Sequence, residues 1–117
     1  MNGLLLLAAA ATAIAAVGHS VMGEQQFLKP LLANADSQPY RSRVRLGWHL
    51  ATIAWLGIAL VFALAAFGPV DAGTHWSVRH LALALGVSAV VAFGVARGRN
   101  PAAYLFAIAA VAGWLAV

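Results

Sequence analysis

Apolar positions in this chain fall into four long runs, residues 3–21, 46–67, 77–96 and 101–117, separated by short polar stretches. The runs are continuous rather than alternating and are rich in alanine and leucine, which predicts helices rather than strands. Each is close to the roughly 17–25 residues that a helix needs to cross a hydrocarbon core of about 30 Å. Punctuation agrees with this: Asn100-Pro101 reads as a helix cap followed by a first-turn proline, and Gly68-Pro69 closes the second run. The first run lacks the basic flank of a secretory signal, and no Ala-x-Ala site in it is followed by a polar mature domain, so it is expected to persist as a helix.

The connection after the first run has a pattern of its own. In "MGEQQFLKPLLANADSQPYRSRVR", residues Phe27, Leu28, Leu31, Leu32 and Ala35 fall on one helical face, with Gln25, Gln26, Lys29 and Asn34 off it. That spacing predicts a short amphipathic helix in the headgroup layer, with Pro30 in its first turn and a turn at "ADSQPY". The expected architecture is therefore all-α: residues 1–117 as one integral membrane domain, a four-transmembrane-helix bundle with an interfacial segment between its first two helices.

Composition strengthens this picture. Hydrophobic residues make up 63% of the chain and charged residues 9%, against about 25% charged in soluble domains. The absence of cysteine excludes disulfides, thiolate metal sites and thiol catalysis. The net charge of +4 comes from loop cations: Lys29, Arg41, Arg43 and Arg45 in the first loop, and Arg97 and Arg99 in the third. The positive-inside rule then predicts a plasma (bacterial inner) membrane protein with both termini outside the cytoplasm. Basic loops facing anionic lipid account for the charge without nucleic acid.

The candidate chemistry lies at the cytoplasmic end. His19 ends the first run and His49 opens the second, which puts both at one depth, with Glu24, Arg45, Trp48 and Thr52 nearby. On the first helix Thr12, Ala16, His19 and Gly23 share a stripe; on the second, Arg45, His49 and Thr52 do. Ionisable groups at membrane depth usually face the bundle interior. The histidines are therefore candidates either to staple the two helices or to hold a cofactor, haem b or a divalent metal, between them. A second group, Asp71, His75, Trp76, Arg79 and His80, joins Trp114 at the opposite face as an aromatic belt.

The close-approach spacings Ala59-x-x-x-Ala63, Gly86 with Gly94, and Ala109-x-x-x-Gly113 predict tight helix packing with spare faces. They favour a non-enzymatic role in lipid, as an accessory or assembly subunit of a larger membrane complex or as a self-associating homo-oligomer. The alternatives are a redox module on His19 and His49, or a small-solute transporter or channel. In size and helix count the chain resembles the small multidrug resistance exporters, but its first helix has no carboxylate; it also has no mid-bundle polar set of the kind the small fluoride channels need.

The elements "HSVMGE", "FLKPLL" and "RVRLGWHLATIAW" resemble a family of uncharacterised small four-span bacterial membrane proteins. The resemblance covers about the first half of the chain. It implies His19, Gly23, Glu24, Arg45, Trp48 and His49 as motif positions and no particular activity.

Overall fold

The computed structural model describes residues 1–33 and 39–117 and contains four helices and no strand among them. They are α1 (Gly3–Leu31), α2 (Arg41–Phe67), α3 (Ala72–Ala96) and α4 (Pro101–Leu115). The first three are long and apolar enough to cross a membrane, and α4 is a shorter apolar helix. Asn100 caps α4 by accepting from the Ala102 N–H at 3.0 Å, with Pro101 in the first turn as the sequence predicts. Asp71 caps α3 by accepting from Thr74 at 2.7 Å, and that bond holds the Asp71 carboxyl below its ordinary pKa.

Helices α1 and α2, α1 and α4, and α3 and α4 pack closely along their lengths, whereas α2 and α3 touch sparsely despite being joined by a short turn. Alanine is what permits the close pairs. Ala8, Ala15, Ala82, Ala109 and Ala112 are buried, and Gly113 lets the ring of Phe62 approach, since a β-carbon there would lie 3.3 Å from Phe62 Cζ. In lipid such approach is the main source of helix association, because the solvent is as apolar as the side chains. Phe62, Phe106, Leu5, Leu85 and Val78 fill what the alanines leave.

Asn2 fastens one end of the bundle. Its side-chain oxygen accepts from the Leu4 and Leu5 N–H groups at 3.1 and 3.3 Å, its Nδ2 donates to the Ala116 carbonyl at 3.0 Å, and its backbone N–H donates to Ala66 at 2.8 Å. One residue thus levels α1 with the ends of α2 and α4. Asn2→Ala should lower stability by about 1–2 kcal/mol, the cost of a lost helix cap plus a bridging bond. Earlier denaturation in mixed micelles, together with faster amide exchange at Leu4 and Leu5, is the expected readout.

Because Asn2 sets that level, helix length decides where the other ends fall. Helix α4 has 15 residues and α1 has 29, so α1 runs on for about 20 Å past the start of α4. Helix α2 accompanies it, giving a molecule 53 Å long but only 26 × 18 Å across. The α1–α2 pair therefore projects beyond the four-helix part.

The segment expected to lie apart from the first helix instead continues it. A five-residue π turn at Glu24–Leu28, closed by the Lys29 N–H on the Glu24 carbonyl, links the two without a break. Such a turn is wider than an α turn and makes room for Pro30, whose ring would otherwise crowd the carbonyl four residues back. It also shifts the helix phase. Buried positions run Gly23, Leu28, Leu32, while Phe27 and Leu31, expected on the same face as Leu28, are 61% and 64% exposed. Ala35, the last member of that expected face, lies outside the described residues.

Candidate functional site

The polar cluster occupies the base of the projection, where α1 and α2 face each other. Arg45, Trp48, His49, Thr52 and Trp55 recur at three- and four-residue spacing on α2, so one side of that helix carries them all. Across from them α1 supplies His19, Ser20, Gly23 and Glu24.

His49 sits between two α1 side chains. Its Nδ1 is hydrogen-bonded to the Ser20 hydroxyl at 2.9 Å, and its Nε2 lies 3.9 Å from Glu24 Oε2. Glu24 Oε1 is paired with the Arg45 guanidinium at 2.8 Å, while Oε2 is buried without a hydrogen-bond partner among the described residues. The ion pair is partly solvated, with the Arg45 side chain 45% exposed, so it orients the two helices more than it stabilises them.

His19 is held differently, by aromatic rings. It stacks on Trp48 with centroids 4.2 Å apart and planes 6° from parallel, and it meets the edge of Trp55 at 4.7 Å. The Trp48 indole N–H donates to the His19 carbonyl at 3.1 Å. Trp55 in turn packs on Phe106 of α4, which ties the cluster to the four-helix part. Gly23 is the residue that allows this: a β-carbon at position 23 would overlap the Trp48 ring. Thr52 is buried, but its hydroxyl has no partner among the described residues, unlike Thr12 and Ser88, which bond the carbonyl one turn back.

The structure thus brings together His19, His49, Glu24, Arg45 and Trp48. His19 is enclosed by indoles, and His49 lies between a hydroxyl and a carboxylate. Among the described residues no group of three or more His, Asp or Glu side chains is arranged to hold a metal ion. Sequence reasoning missed Ser20 and Trp55. Trp55 had a readable signal, seven residues after Trp48 and hence on the same helix face.

At the opposite end the belt residues form a smaller set. Arg79 lies 5.0 Å over the Trp114 ring and donates to the Val117 oxygen at 3.2 Å, and His80 Nδ1 donates to the Trp76 carbonyl at 2.7 Å. The two Arg79 contacts anchor α3 to the end of α4.

Compared with known proteins, the chain matches no protein-family model, no curated protein and no solved structure.

Proposed function

We propose that the chain is a plasma-membrane protein whose four helices cross the bilayer with both termini outside the cytoplasm, and that it serves as a non-enzymatic accessory or assembly subunit. The projecting α1–α2 pair carries this reading. Its polar groups are spent largely on one another, whereas Leu31, Tyr40 and Leu46 are each more than half exposed. Such side chains beyond the four-helix part suit a docking limb better than a catalytic centre. The orientation rests on Lys29, Arg41, Arg43, Arg45, Arg97 and Arg99 lying at one end of the chain's helices. On this reading residues 24–31 stand in the headgroup layer as the upright end of α1.

Purification in mild detergent tests the proposal. A stoichiometric larger membrane partner, lost when Leu31 and Leu46 are both replaced by serine, is the expected result; a monodisperse lone monomer would overturn it. An absorption spectrum of the same sample discriminates chemistry: a Soret band or bound metal that disappears in His49→Ala would replace the assembly role with a redox one.

A further inference from the structure

The outward face of α1 carries a shallow, wholly apolar groove formed around Gly18 by Ala13, Ile14, Val17, Val21 and Met22. It covers nine helical rises, about 14 Å, close to half of a hydrocarbon core of about 30 Å. That is the length of one acyl chain in one leaflet. Gly18 forms its floor, and nothing lies within 4 Å of where a β-carbon would be.

Just beyond the groove, on the same face, are Gln25 and Lys29, both exposed. Gln25 and Lys29 follow Gly18 by seven and eleven residues, two and three helical turns on, and the π turn at Glu24–Leu28 rotates Lys29 toward Val21 and Ile14, still on this face. Helical side chains lean toward the N-terminus, which here is toward the groove. An ammonium and an amide thus stand at the end of an open, acyl-length apolar face. Neither is engaged in any ion pair or hydrogen bond found among the described residues.

We propose that this groove is a binding site for one anionic phospholipid, its acyl chain along Gly18 and its headgroup phosphate on Lys29 and Gln25. A second copy of the chain is a poorer occupant, because pairing two such faces would bring two lysines together. The proposal rests on the reading that α1 spans the bilayer.

The test uses the full chain reconstituted in vesicles of phosphatidylcholine and phosphatidylglycerol at 4:1, followed by gentle extraction and native mass spectrometry of retained lipid. One retained phospholipid per chain, with phosphatidylglycerol enriched about fivefold over the bulk ratio, is expected, since one cation near the surface contributes about 1 kcal/mol. Lys29→Gln should return the retained lipid to the bulk ratio. Gly18→Leu should fill the groove without disturbing the fold and abolish retention of either lipid. Bulk-ratio lipid on the unaltered protein, or a polypeptide in place of lipid, would overturn the site. A carbonate wash separates the two failures: protein released from the vesicles would overturn the spanning reading itself, and the lipid site with it.

Discussion

Replacing Gly23 by alanine is expected to destabilise the protein by about 3 kcal/mol, the upper part of the range for overpacking a tight contact. The added methyl overlaps the Trp48 indole, which is not a flexible chain end. To make room the ring must leave its stack on His19 and release the His19 carbonyl. With the stack goes the contact that sets the spacing of α1 and α2 in the projection. Gly18→Ala, five residues earlier on the same helix, provides the comparison. Its β-carbon meets nothing, so it should be neutral or stabilising by up to about 1 kcal/mol, the helix-propensity gain. Unfolding midpoints in mixed micelles and near-ultraviolet circular dichroism of the indoles report both changes. Equal midpoints for the two variants would refute the Trp48 placement.

The second large effect is expected at Phe62, which is fully buried where α2 leans over Ala82 and Gly113 of the α3–α4 pair. In water a buried Phe→Ala substitution costs about 3–5 kcal/mol, part of it the transfer of the ring out of solvent. Lipid removes much of that transfer component and leaves the packing loss, so about 2–3 kcal/mol is expected. Since α2 and α3 otherwise touch sparsely, the loss should appear as separation of these two helices. A pair of spin labels on their exposed faces should show a broadened, longer distance in Phe62→Ala. An unchanged distance with an unchanged midpoint would mean that the ring is not what joins them.

The helices were readable because their signals are local. Runs of alanine and leucine, the Asn100-Pro101 start and the Gly68-Pro69 stop each act within a turn of where they stand. The pairing of Glu24 with Arg45 and the nearness of His49 to α1 were also accessible, since residue depth follows from counting along two antiparallel helices. The π turn was not. Pro30 read as the first turn of a separate short helix, and only the three-dimensional fit of Gly23 beneath Trp48 shows that the first helix passes through. Once the turn adds its extra residue, every side chain beyond it changes face, which is why Phe27 and Leu31 are outside. The enclosure of His19 was equally hidden, because its partners lie on another helix 29 and 36 residues away and ring stacking has no sequence period.

The unequal helices also bear on the surrounding membrane. On the four-span reading, the 15 residues of α4 reach only about 22 Å, short of a hydrocarbon core of about 30 Å, while α1 beside it is long enough to cross with length to spare. With Asn2 fixing both at one end, no flat slab of uniform thickness matches the two at once. The lipid next to α4 must thin, while the excess length of α1 is taken up by leaning, at a modest cost for each ångström of mismatch. The hydrogen bonds of one asparagine therefore help decide the angle at which the protein stands in its bilayer, and so the direction in which its projecting limb points.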